Sequence, residues 1–279
     1  CRAPDAVKLA DLRPGWQTDF ILHRLDAQIL ERPDCLVVRT PSNPTYYWGN
    51  CLLLPALPRD EDLAHWLGRF YEEIAAHQPA SRHVAIGAEV DFTGQRLPAW
   101  EAAGFALNVE AMLRLRRNEA CPPPRPARGS VELRLLELPR DAEAIAAIEI
   151  TDAGAFEPVG YRAYLAQQHA RFARLQAMGQ AQWFGLVCDG TLAATCGLLR
   201  DGAIGRFQRV IVHPDFRRRG LAGAMVHGVV RHAFDALGLD ELYMAAVPGD
   251  VAIGIYRSLG FRDISSGIGL QRNAPQDRG

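Results

Sequence analysis

No stretch of the sequence is apolar for anything like the ~18 residues that a membrane-crossing helix needs. The N-terminus lacks the basic-then-apolar layout of a secretory signal. It opens on Cys1, for which a removed initiator Met is the expectation and a lipidated mature N-terminus the alternative. Charge of one sign is also missing: 31 Lys and Arg stand against 32 Asp and Glu, a net charge of −1 that gives no reason to expect a nucleic-acid partner. The six cysteines, Cys1, Cys35, Cys51, Cys121, Cys188 and Cys196, form no C-x-x-C pair and no Cys/His grouping of zinc spacing. His227 and His232 are five apart on an expected helix and do not share a face, so no metal site is expected. Several cysteines lie inside apolar runs, such as Cys35-Leu-Val-Val and Val187-Cys188, which suits buried, reduced thiols in a cytoplasmic protein.

What is present is a globular composition, 48% hydrophobic and 23% charged, over 279 residues. At about 150 residues per domain that length suggests two domains. The clearest boundary lies in Cys121-Pro-Pro-Pro-Arg-Pro126, where consecutive prolines remove amide donors and favour extended backbone. The expected organisation is a first domain over 1–118, a Pro-rich, semi-rigid linker over 119–130, and a second domain over 131–279.

After the linker the order of elements is legible. Strands are expected at Val131–Leu136, Gln182–Cys188, Thr191–Leu199, Arg206–Val212 and Glu241–Val247, with a final extended segment over Phe261–Gln271. Helices are expected at Asp141–Ile150, Tyr161–Met178, Leu221–Leu237 and Val251–Leu259. Asp189-Gly190 is a two-residue hairpin signal, and Gly238 is a left-handed stop for the Leu221 helix. The class is α/β (α+β), antiparallel at first with a βαβ crossover near the end.

The chemistry-bearing segment runs Val210-Ile-Val-His-Pro-Asp-Phe-Arg-Arg-Arg-Gly-Leu-Ala-Gly223. A strand ends at Val212, three arginines follow, and Gly220 and Ala222 open a helix. Small residues there let a ligand approach the backbone. The first amides of a helix lack internal partners and carry the positive end of its dipole, so the combination is a cradle for a pyrophosphate. Arg217, Arg218 and Arg219 add positive charge beside it.

Arg217-Arg-Arg-Gly220-Leu-Ala222 resembles the coenzyme A signature of the GNAT superfamily of N-acetyltransferases, Arg/Gln-x-x-Gly-x-Gly/Ala after a strand. Ala252-Ile-Gly-Ile-Tyr256-Arg-Ser-Leu-Gly260-Phe261 resembles the superfamily's second signature at the right interval, and the likeness extends over about Val131 to Arg272. The resemblance implies acetyl-CoA as co-substrate. It implies that strand backbone at Ile211 and Val212 pairs with the pantetheine arm, and that the amides from Arg218 through Gly220, Leu221 and Ala222 to Gly223 hold the pyrophosphate. Tyr256 would lie near the sulfur as general acid, its phenol protonated at neutral pH given a reference pKa of ~10. Two departures stand out. Gly249 occupies the position of a frequent Asn, and the strand Phe207-Gln-Arg-Val-Ile-Val-His213 lacks the glutamate that many members use as base. His213, Glu149, Asp152 and Glu157 remain as alternatives for that role.

The first half repeats the pattern. A strand at Gly49–Leu54, a helix at Asp62–Ala76 and a strand at His83–Ala88 precede Trp100-Glu-Ala-Ala-Gly104-Phe105. Trp100, Gly104 and Phe105 each stand 156 residues before Tyr256, Gly260 and Phe261. Two tandem GNAT-like domains follow, each a mixed, mostly antiparallel sheet flanked by helices, similar to mycothiol synthase-like members. The first copy has no glycine where the cradle would be, carries Asp60, Glu61 and Asp62 at the helix start, and has Trp100 in place of the tyrosine. One coenzyme A per chain, in the second half, is therefore expected. The acceptor is a small-molecule or peptide amine that the sequence does not identify. Tyr161, Tyr164, Trp183 and Phe184 are candidates to line its pocket, with core packing the alternative. A non-catalytic coenzyme A sensor and a pure interaction scaffold are the competing functions.

Overall fold

The computed structural model of the chain describes residues 6–154 and 158–273. In chain order the elements are α1 (Pro14–His23), β1 (Gln28–Glu31), β2 (Leu36–Arg39), β3 (Cys51–Leu54), α2 (Leu63–Phe70, continued by a π turn over Tyr71–Ala75), β4 (Val84–Val90), α3 (Pro98–Ala102) and β5 (Ala106–Arg116). After them come β6 (Val131–Leu136), α4 (Ala142–Ala153), α5 (Pro158–Ala177), β7 (Ala181–Cys188), β8 (Thr191–Asp201), β9 (Ile204–Val212), α6 (Leu221–Asp235), β10 (Glu241–Ala246), α7 (Val251–Ser258) and β11 (Arg262–Arg272). Among the described residues no helix is long and apolar enough to cross a membrane.

The chain divides into two compact units, Cys1–Met112 with Ile264–Gly279, and Leu113–Asp263. These differ from the bounds expected from sequence, 1–118 and 131–279, in two places. Strand β5 runs unbroken from Ala106 to Arg116, so no chain break marks residue 118. The last strand pairs antiparallel with β4, from Ser266↔Val90 to Arg272↔Val84, and these ladder bonds hold it in the first unit.

In the first unit the sheet order is β1-β2-β3-β4-β11-β5. Its parallel pair, β3 with β4 (Leu52↔Ile86 to Leu54↔Ala88), is joined through α2. Successive residues of a strand point to opposite faces. Leu52 and Leu54 accordingly pack with Phe70, Ile86 and Trp100, while Cys51 and Leu53 pack with Trp16, Phe20 and Val38 on the other face.

In the second unit the last residues of β5 begin the order β5-β10-β9-β8-β7-β6. Strands β6 to β9 form an antiparallel meander. Asp189 (φ 49°) and Gly190 (φ 82°) make the expected tight turn between β7 and β8. Helix α6 then crosses back to place β10 parallel to β9. Its buried Leu221, Met225, Val229 and Ala233 form the i+4 stripe legible in the sequence. Two irregularities shape the functional end of this unit. The β9–β10 ladder covers only Ile204↔Glu241 to Arg206↔Tyr243, although β9 continues to Val212 and β10 to Ala246. The β8–β9 register also shifts between Thr195 and Gly197, where Arg209 takes a left-handed φ of 52°.

Candidate functional site

Where β9 runs on past its pairing with β10, its edge on that side has no strand partner among the described residues, and a cleft of about 680 Å³ opens beside it. That volume falls within the usual range for small-ligand sites. The end of β9 (Val210, Ile211, Val212), the loop and first turn of α6, and α7 with Tyr256 all line it.

Gly220 is the N-cap of α6, at φ 77° and ψ 7°, and no side chain caps the helix. The first amides of this 15-residue helix are therefore open to an anion. A left-handed cap is costly for any residue with a Cβ, and a Cβ here would also meet the Pro126 carbonyl oxygen at 3.0 Å and Ala127 Cα at 3.3 Å. Two independent demands thus make this position glycine. Arg218 shares the left-handed conformation, at φ 61°, and points no charge at a partner among the described residues. Arg217 is engaged: Nε donates to the Val212 carbonyl at 3.3 Å, and Nη2 pairs with Asp152. Arg219 lies with its guanidinium 5.0 Å from the Phe216 ring centre. Nine of the ten site residues singled out from sequence line this one cleft; Arg219 does not.

Tyr256 is 6% exposed, and burial, with Cys196 and Asp250 nearby, pushes its phenol up to about 12. Its helix is capped by Asp250, whose Oδ1 accepts from the Ala252 amide at 2.9 Å; Gly249, ahead of it, turns at φ 85°. Gly260, at φ 101°, lies against the Glu119 carbonyl so closely that no Cβ fits, which explains the glycine of the second motif.

The base candidates separate. Asp152 lines the cleft, paired with Arg217. Glu149, one turn earlier on α4, is fully buried. Its Oε1 accepts from Arg209 Nε at 2.5 Å, and its Oε2 lies 2.9 Å from His169 Nε2. Burial works to raise this carboxyl, but the His169 hydrogen bond and the Arg209 charge outweigh it and hold it below the usual range. The bulge in β9 is what brings Arg209 to Glu149, and Arg209 also donates to the Tyr161 hydroxyl at 3.2 Å. His213 Nδ1 accepts from the Asp215 amide at 3.3 Å, capping a turn outside the cleft lining. Glu157 lies outside the described residues. Tyr161 and Tyr164 stack at 5.9 Å on α5, whereas Trp183 and Phe184 are core residues, each 1% exposed.

Sequence reasoning missed the role of residues 119–130. They belong to the second unit, and Pro123, Pro124 and Arg125 form one wall of the cleft. The prolines signalled extended backbone but not what it packs against. In the first unit, Trp100 is fully buried and its Nε1 donates to the Arg59 carbonyl at 3.1 Å. The acidic residues there make no side-chain cap on α2. They form a 3₁₀ turn over Asp60–Asp62 whose closure directs the carboxylates elsewhere. Asp62 accepts from the Arg59 amide at 2.9 Å, and Asp60 accepts from the Ala99 amide of α3 at 3.0 and 3.1 Å.

Residues 143–261 match the Acetyltransferase (GNAT) family. No curated protein matches the chain in sequence. Among solved structures, a functionally unknown conserved protein from Staphylococcus epidermidis is similar with a TM-score of 0.70 at 12% identity, over 90% of this chain and 95% of that one. A GCN5-related N-acetyltransferase from Kribbella flavida gives 0.63 at 14% identity, over 92% and 93%. A tandem GNAT protein from the clavulanic acid biosynthesis pathway gives 0.53 at 16% identity, over 87% and 76%. At such identities the likeness speaks for the fold. The sequence match to the GNAT acetyltransferase family is thus confined to residues 143–261, while the fold likeness to a tandem GNAT protein extends over 87% of the chain.

Proposed function

We propose that the chain is an acetyl-CoA-dependent N-acetyltransferase with one cofactor site, in the second unit, acting on a small-molecule or peptide amine. The observation that carries this reading is the meeting of three features on one cleft: the end of β9 beyond its pairing with β10, the uncapped start of α6, and Tyr256. Backbone at Ile211 and Val212 is available to an amide-bearing arm, and the amides from Arg218 to Gly223 are available to a diphosphate. When bound, acetyl-CoA supplies the activated thioester.

Tyr256 keeps its proton at the phenol oxygen across the neutral range. A phenol at about 12 is a weaker acid than a thiol of reference pKa ~8.5, so full proton transfer from it runs uphill. Tyr256 therefore acts first as a hydrogen-bond donor whose bond strengthens as negative charge develops opposite it. Of the carboxylates the sequence offered as bases, Asp152 lies on the cleft wall, and we assign it to take the amine proton through water.

One observation favours a second reading, a coenzyme A sensor without turnover: Asp152 and Glu149 are each already bound by an arginine. Measuring free thiol released from acetyl-CoA across a panel of amines separates the two. Release above the no-amine rate with at least one acceptor supports the enzyme; binding without release across the panel supports the sensor.

A further inference from the structure

The segment joining the two expected domains is fastened to the second unit along its length. The Cys121 amide donates to the Leu259 carbonyl at 3.0 Å, and the Arg128 amide donates to the Arg219 carbonyl at 2.8 Å. At its end, the Asp189 amide donates to the Ser130 carbonyl at 2.9 Å, and the Ser130 amide donates to Asp189 Oδ1 at 3.0 Å. Between these ties the segment passes along the first turn of α6: a Cβ at Gly223 would meet Pro123 Cβ at 3.3 Å, and one at Gly220 would meet the Pro126 carbonyl. Arg125 lies between those two contacts, on the cleft wall. Prolines on either side fix the backbone, so seating a ligand orders only the arginine side chain.

Of the arginines on this cleft, Arg217 is paired with Asp152, whereas Arg218 and Arg125 have no partner among the described residues. With the α6 amides placed to hold the diphosphate and Arg218 beside them in the same loop, Arg125, on the opposing segment, is available to a further anion. Coenzyme A carries one further phosphate, on the ribose of its nucleotide. A phosphomonoester of this kind bears about −1.5 to −2 charge at pH 7 and suits the planar fork of a guanidinium.

We propose that Arg125, carried by the Pro-rich segment of the second unit, is the residue that recognises the ribose phosphate of coenzyme A, and so makes this segment a specificity element of the cofactor site. This rests on the proposed function, because it takes coenzyme A as the ligand. It assigns to the segment a role in ligand choice that a spacer between domains would not have.

The test is calorimetric titration of the full chain with coenzyme A and with dephospho-coenzyme A, which lacks only that phosphate. Wild type is expected to bind coenzyme A about tenfold more tightly, as befits one charge-assisted contact. Arg125→Gln is expected to lower affinity for coenzyme A to that for dephospho-coenzyme A and to leave the latter unchanged. Arg128→Gln, an exposed neighbour that does not line the cleft, should keep the full preference. An unchanged melting temperature in the variants verifies that the fold is intact. Equal weakening of both ligands by Arg125→Gln, or a preference that survives it, overturns the proposal while leaving the cofactor assignment standing. Failure of wild type to bind either ligand overturns both.

Discussion

Replacing glycine by alanine at two positions of the second unit should move its stability in opposite directions. At Gly220 the backbone sits at φ 77°, and the new Cβ would meet the Pro126 carbonyl oxygen at 3.0 Å. The left-handed conformation alone costs a residue with a Cβ about 1–2 kcal/mol. The contact adds to this, because the atom that must give way is backbone tied down by the Arg128–Arg219 hydrogen bond. A total near 2 kcal/mol in a unit spanning Leu113–Asp263 corresponds to a melting temperature lower by about 4–8 °C. Gly254 lies on the exposed side of α7 with nothing within 4 Å of its would-be Cβ. Alanine there should stabilise by about 0.5–1 kcal/mol through helix propensity. Scanning calorimetry of the two variants and wild type reads both effects. A Gly220→Ala protein melting within about a degree of wild type would show that this loop is neither strained nor pinned by the segment over it.

Two further outcomes follow from the buried groups of this unit. Tyr256→Phe should lower kcat by about 10²–10³-fold while leaving the Kd for coenzyme A nearly unchanged, since the phenol's hydrogen bond strengthens only as charge develops; single-turnover rates and calorimetry on the same preparation separate the two quantities. Glu149→Gln strands the Arg209 guanidinium and should cost about 3–5 kcal/mol at pH 7. Because the folded-state pKa of Glu149 is depressed, its contribution is fully present above the unfolded value of ~4.3 and is lost as pH falls through the folded one. In urea unfolding at a series of pH values the gap between wild type and variant should therefore narrow below about pH 4.3. A gap that stays constant down to acid would mean that the carboxylate charge is not what holds this cluster.

How much of this was legible in the sequence depended on how local the signal was. Helix α6 could be read from its apolar i+4 stripe, and its start from Gly220, because propensity, periodicity and cap agree there. The hairpin at Asp189-Gly190 was equally local. The repeat of the βαβ pattern was legible through Trp100 and Tyr256, which each follow a parallel strand pair. What escaped was pairing at a distance. Glu149 and Arg209 are 60 residues apart, and the bulge that joins them carries no turn residue. Strand β11 was legible as extended, but its partner β4 lies far up the chain, so the division into units could not be read from composition. Residues 121–126 declared themselves as prolines, yet their packing on Gly220 and Gly223 depends on tertiary contact alone.

The central claim is a single coenzyme A site per chain, built on the start of α6 in the second unit. Calorimetric titration of the wild-type chain with coenzyme A, alongside Gly220→Trp, tests it most directly. The account predicts a stoichiometry near one and loss of binding in the variant, because a bulky side chain at the left-handed cap disrupts the loop that lines the cleft. A stoichiometry near two, binding retained in Gly220→Trp, or no binding to wild type at millimolar ligand would contradict it.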